Sequence, residues 1–442
     1  MDRSNMKQRE PPKYPGKMDQ EQDRISNLPG HVIDKILSQL PIREAVRMSV
    51  LSSKWRYKWV TLPDVVFDNQ CLSVSSQDQA LLKNNLVNIV DHVLLLHTGP
   101  ISKFKLSHRD LLAITDIDRW ILYLSRNSIK EFILEIWKGP RYKMPSCLYS
   151  CQNLIHLEVF NCWLRPPSVF GGFRSLKSLD LQHVTLDQDV FQNLISGCPL
   201  LERLTLMNFD GFTHLNIHAP NLQFFDIGGV FEDVSFKNTH LLTIISIGLY
   251  EEVIYLDDEN EQSPRCSNSN NLVRFFSHIP GIQRLEVQSH FLKYLAAGDV
   301  PRRLPSPCLY LNYLSLRVDF NNWRENMTAL CLFRSSPNLQ ELEMLARAES
   351  ADEGVLSEIS ANFWAEDDHW DCSFDQLRLV KIVGISVCRP LMDFINFLLA
   401  KSPVLEKLTV RPASNDGRWE LVKELLRFRR ASVRAEIIYL DP

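Results

Sequence analysis

CPLLERLTL, residues 198–206, sets leucines at 201, 204 and 206 behind a proline at 199. Apolar residues at the first, fourth and sixth places describe a short strand with one buried face, because successive strand side chains point to opposite sides. The same spacing recurs as LIHLEV from Leu154, LKSLDL from Leu176, LQFFDI from Leu222 and IQRLEV from Ile282. It continues as LNYLSL from Leu311, LQELEM from Leu339, LRLVKI from Leu377 and LEKLTV from Leu405, with weaker copies at ISKFKL from Ile101 and IKEFIL from Ile129. Most steps between copies run 21 to 29 residues. One such unit is too small to bury its own apolar face, so neighbouring units must stack into a solenoid. Several copies open on a proline, as in APNLQFF and SPVLEKL, which stops the returning helix and starts the next strand. The segment LDQDVFQNLISGCP reads as one such helix, with Asp187 as its N-cap and Gly197 as its stop.

The rest of the composition narrows the function classes. Hydrophobic residues make up 45% and charged residues 23% of the 442, and the net charge of −4 supplies no whole-chain field for nucleic acid or an anionic membrane. Residues 1–22 are charged throughout and read as a disordered tail, not a secretory signal. PLMDFINFLLA is too short to span a bilayer and carries Asp393. The ten cysteines form no CxxC pair; Cys147 and Cys151 come nearest, without a partner pair, so reduced, packed thiols in the nucleus or cytoplasm are expected. No GxSxG, P-loop, HExxH or strand-linked GxGxxG is present, so no catalytic, cofactor-binding or metal-binding residues are assigned and no enzyme activity is expected. Residues 257–271 read as a mobile polar loop. Residues 346–371 read as an acidic insertion, and its end, with Asp367, Asp368, His369, Asp371 and Cys372, as solvated loop in preference to a metal site.

Residues 23–62 carry no copy of the repeat and show helical periodicity instead. Pro29 suits a first helical turn, and Val32, Ile33, Ile36, Leu37 and Leu40 form one apolar stripe. Pro41 breaks the chain, Ala45, Val46, Ser49 and Val50 make a second helical face, and Ser52 is placed to cap a third helix. On that third helix Trp55 and Trp59 would share a buried face, with Lys54, Arg56 and Lys58 left in water. Seven basic residues against three acidic make this segment locally +4, a thin site for nucleic acid with no basic track to extend it. Forty residues hold a core with difficulty, so the segment must dock on the solenoid or on a partner.

Leu28-Pro29, the run Ile36 to Pro41, and VRMSVLSSKWRYKW from Val46 to Trp59 closely resemble an F-box. The repeats behind it, then CSFDQLRLVKIVGI, PLMDFINFLLAKSPVLEKLTV, ELVKELLRFRR and a last strand near VRAEIIYL, resemble the plant F-box/FBD/leucine-rich-repeat proteins. The resemblance covers nearly everything after residue 22. It implies an α/β chain: a short helical F-box at 23–62, an irregular leucine-rich-repeat solenoid at 63–371 whose curved parallel sheet carries helices and loops on its outer face, and an FBD region at 372–442 that continues it. Irregular periods and few asparagines after the strands suggest a loosely coiled horseshoe.

The function so implied is that of a non-catalytic substrate receptor in an SCF-type ubiquitin ligase. A Skp-type adaptor would bind the F-box and connect it to a cullin and a RING protein, while the repeats hold a target. Carried over from the F-box match, the adaptor contact falls on Leu28, Pro29, Ile33, Ile36, Leu37, Leu40, Pro41, Val46, Val50, Leu51 and Trp55. The alternative is a leucine-rich-repeat scaffold or ligand sensor without ligase activity. On the repeats, the residues between the last two apolar places give an acidic line at Glu158, Asp180, Thr205, Asp226 and Glu286. His156, Arg203 and Arg284 flank it, and these carboxylates and their neighbours are the candidate target surface, suited to a basic peptide.

Overall fold

All eleven copies of the repeat form strands of one parallel sheet in the computed structural model, which describes residues 28–69, 79–250, 270–346, 363–365, 371–385, 389–414 and 418–442. The sheet has fourteen strands, from Asp64–Phe67 at one edge to Glu436–Tyr439 at the other. Each strand pairs with its sequence neighbour in the sheet. The expected last strand near VRAEIIYL is Glu436–Tyr439.

Two strands of this sheet were not anticipated. Asp64–Phe67 and Ile244–Leu249 keep the spacing through Leu62, Val65, Phe67 and through Leu242, Ile245, Ile247, all buried. Neither shows both of the usual cues: polar residues between the apolar ones and a proline two places ahead of the first.

The register explains the stability of the stack. Leu157, Leu179, Leu204, Phe225, Ile245, Leu285 and Leu314 are Cα partners in succession, one buried file crossing seven strands. A second file two residues on contains Val159, Leu181, Leu206, Ile227, Ile247 and Val287. At the N-terminal edge Phe67 meets Phe104 edge-on and Phe104 stacks on Phe132, with ring centroids 5.9 Å apart in each pair. The two files form a continuous core that no single repeat has alone.

Return segments follow repeat length. Longer steps accommodate helices, such as Gln188–Ser196, Trp323–Ser335 and Arg389–Lys401. Asn322 caps the second of these by accepting from the Arg324 and Glu325 amides at 3.0 and 3.4 Å. Where the step shrinks, after Leu201 and Leu222, the return is a strand: His214–His218 and Asp233–Lys237 pair in parallel on the outer face, where helices and loops were expected. Asp187 and Gly197 do flank their helix, although the Asp187 side chain makes no capping bond.

The N-terminal segment folds as two helices, Gly30–Leu37 and Ile42–Arg47, led in by Pro29 and Pro41. The third α-helix does not form. Met48–Val50 and Lys58–Thr61 are single 3₁₀ turns, and Tyr57 between them is left-handed at φ 65°, which ends any continuous helix. Trp55 and Trp59 are buried all the same, held by separate turns and not by one helical face. Lys54 and Arg56 are exposed, but Lys58 pairs with Asp34 at 3.1 Å.

The segment docks on the sheet's first repeat. Thr98 and Gly99 amides donate to the Val60 carbonyl at 2.9 and 3.3 Å, and the buried His97 donates through Nε2 to the Leu62 carbonyl at 2.8 Å. The expected tail at 1–22 and most of the 257–271 loop and of the 346–371 insertion lie outside the described residues. At the end of that insertion Asp371 departs from the solvated reading: its side chain is 13% exposed, with Arg334 at 2.7 Å and Arg302 at 3.0 Å.

Candidate protein-interaction surfaces

The N-terminal module divides its candidate contact residues between inside and outside. Ile33, Leu37 and Trp55 are buried in the chain's own core, with Ile42, Ala45, Trp59 and Leu62. They do not reach solvent, so they act on any partner only by holding the outer residues in place. Leu28, Ile36, Leu40, Pro41 and Val46 are half-buried, and Pro29 is exposed. Val50 and Leu51 are 87% and 45% exposed. Val50 thus sits on no inward helical face, because the second helix ends at Arg47 and the following tight turn points it outward. Two aliphatic side chains exposed side by side, beside half-buried neighbours, form a surface that costs free energy in water until it is covered.

The second surface is the side of the sheet opposite the buried files. Glu158, Asp180, Thr205, Asp226, Ser246 and Glu286 are successive Cα partners, so the acidic line of the sequence is one column of the structure. Ser246, contributed by the unanticipated strand, separates Asp226 from Glu286. His156, Ser178, Arg203, Phe224, Ile244, Arg284 and Tyr313 form the adjoining column on the same face.

Neutralisation along the column is uneven. His156 Nε2 lies 3.4 Å from Glu158 Oε2, and this hydrogen bond holds the Glu158 carboxyl below its ordinary value. Arg284 bonds Glu286 at 2.8 Å and lies over the Tyr313 ring at 3.5 Å. Arg203 lies over the Phe224 ring at 3.9 Å. The two arginines therefore already rest on neighbouring rings. Asp180 accepts from the Gln182 amide at 3.0 Å and Asp226 from the Ser246 hydroxyl, and among the described residues no ion pair reaches either carboxylate.

Burial raises the carboxyls of Asp180 and Asp226 above the ordinary aspartate value of 3.8. A raised folded-state value means that ionisation disfavours the fold. The penalty is complete above the folded-state value and vanishes as pH falls below 3.8. Asp180→Asn is expected to raise the melting temperature at neutral pH by about 1 °C, with the gain disappearing near pH 3. Melting curves across that range check it; a variant less stable at pH 7 contradicts it.

An aromatic ridge borders the column; its members lie beyond the hexads, where the repeat pattern carries no signal. Trp137 stacks on Phe160 at 4.6 Å, and Phe160 meets the His183 ring at 4.9 Å. Farther along, Gly228 and Gly248 face each other across adjacent strands. A Cβ at Gly228 would sit 2.4 Å from the Tyr250 hydroxyl, so glycine is what lets that ring lie across the face.

Comparison with known proteins matches the repeats and the N-terminal module separately. A family model described as "FBD-associated F-box protein At5g56370, LRR repeats" matches residues 117–344, and an F-box domain model matches residues 25–65. The chain is 42% identical over 427 residues to F-box/FBD/LRR-repeat protein At1g13570 of Arabidopsis thaliana, covering 96% of this chain and 100% of that one. FBD-associated F-box protein At4g13985 of the same plant is 25% identical over 95% of this chain and 96% of its own. F-box/FBD/LRR-repeat protein At1g78750, also from that plant, is 27% identical over 95% and 97%.

Proposed function

This chain belongs to the F-box/FBD/LRR-repeat family, and on that premise we propose that it is the substrate-recognition subunit of an SCF-type ubiquitin ligase. In this reading the module at 23–62 binds a Skp-type adaptor, the repeats at 63–371 hold a target protein, and the FBD region at 372–442 completes the sheet. The chain performs no chemistry itself. It raises the local concentration of the target beside a ubiquitin-loaded enzyme brought by the cullin and RING subunits. We place it in the nucleus or cytoplasm, where its thiols stay reduced.

The observation that carries the proposal is the exposed Val50–Leu51 pair on a module that is otherwise fastened to the first repeat. An exposed apolar pair on an anchored module suits a partner that must not disturb the solenoid. The test is capture of a purified Skp-type adaptor by the full chain. Leu28→Ala with Pro29→Ala trims the half-buried and exposed start of the patch and is expected to weaken capture about tenfold, the equivalent of about 1.4 kcal/mol. No capture by the parent chain, or equal capture by this variant, would sink the reading. Capture without any change in target abundance on loss of the protein favours a scaffold instead.

A further inference from the structure

We propose that the open face of the sheet between Glu158 and Ser246 receives an extended segment bearing two cationic side chains, seated on Asp180 and Asp226 against the aromatic ridge of Trp137 and Phe160. The inference rests on the reading of this face as the target-holding surface and specifies the chemistry of the target.

Three independent features converge there. First, the neighbouring stretches of the face satisfy their own charges: Lys103 pairs with Glu131 at 3.0 Å, Lys105 with Glu135 at 3.5 Å, Arg284 with Glu286 at 2.8 Å and Lys381 with Glu343 at 2.6 Å. Among the described residues, only neutral donors, Gln182 and Ser246, bond Asp180 and Asp226. Partly desolvated carboxylates with neutral partners leave a charge for a ligand to compensate. Burial is the first cause of their raised carboxyl values, and Arg203, held over the Phe224 ring, only partly offsets it at Asp226.

Second, the ridge offers π faces at the edge of that deficit. Trp137 is 50% exposed, and its indole N–H is turned to Glu135 at 3.1 Å. Elsewhere on the face Arg203 and Arg284 already cover Phe224 and Tyr313, the arrangement an incoming guanidinium or ammonium would repeat here.

Third, the spacing fits extended polypeptide. Asp180 and Asp226 stand two strands apart, about 10 Å at the usual strand separation, which is close to three residues of extended chain.

The experiment exposes the full chain to an array of nonapeptides carrying Lys or Arg at two places three residues apart, with matched Ala and Glu arrays. The expected result is at least tenfold stronger capture of the cationic set, falling as salt rises. Asp180→Asn with Asp226→Asn should abolish the preference, and the surface change Trp137→Ala should weaken it several-fold. Both leave the buried files untouched, and melting curves together with adaptor capture report that the chain is folded. Equal capture of cationic and Ala peptides, or an unchanged preference in the double variant, overturns the proposal. A chain that captures the adaptor but shows no cationic preference overturns this inference alone. A chain with the preference but no adaptor capture overturns only the ligase reading.

Discussion

Gly172→Ala is expected to destabilise the protein by about 3–5 kcal/mol or to prevent its folding, while Gly171→Ala, one residue away, stays within about 0.5 kcal/mol. Gly172 has φ +93°, a conformation that costs an L-residue about 1–2 kcal/mol by itself. The larger cost is contact. A Cβ at Gly172 would lie 2.2 Å from the Gly197 carbonyl oxygen and 2.4 Å from its Cα, and backbone cannot swing aside as a long side chain can. The overlap is mutual, since a Cβ at Gly197 would lie 2.4 Å from the Gly171 carbonyl oxygen. Around Gly171 itself nothing comes within 4 Å. Chemical denaturation of the two variants side by side gives the measurement; similar midpoints would refute the backbone crossing. This also changes the account of Gly197. As a helix stop it needs no left-handed turn, because its φ is −82°. Glycine is required there so that two loops can touch.

Val50→Asp with Leu51→Asp is expected to abolish adaptor capture, by more than about 100-fold, with little effect on melting temperature. Burying an unpaired carboxylate against an apolar partner surface costs several kcal/mol, whereas in the free chain both side chains already face water. Retained capture would move the interface elsewhere on the module. An unfolded double variant would show instead that these residues pack within the chain. Lys54→Ala, another exposed position in the same module, serves as the neutral comparison.

Much of the architecture was legible because the solenoid is nearly one-dimensional. A period-2 strand with three apolar places reports its own buried face, and repetition reports its neighbours. The acidic column was legible for the same reason: residues at equal places in successive copies become Cα partners, as Glu158 and Asp180 do. Failures fall where that locality ends. The strand Ile244–Leu249 escaped notice because its open-face places carry isoleucine, serine and glycine, which blurs the alternation. The third helix around Trp55 was inferred from spacing four apart, yet the burial of both rings is satisfied by two turns joined at a left-handed Tyr57.

By itself, then, the sequence determined twelve of the fourteen strands of the main sheet and its two apolar files, which depend on short-range periodicity, and its motifs carried the resemblance that classed the front module. Only the tertiary structure decided which charges remain uncompensated, which aliphatic side chains of the module face outward, and where glycine is obligatory. Those outcomes depend on contacts between segments far apart in the chain or lying in different columns. Arg284 is spent on Glu286 and Tyr313, Val50 is turned out by the end of its helix, and Gly172 lies against Gly197.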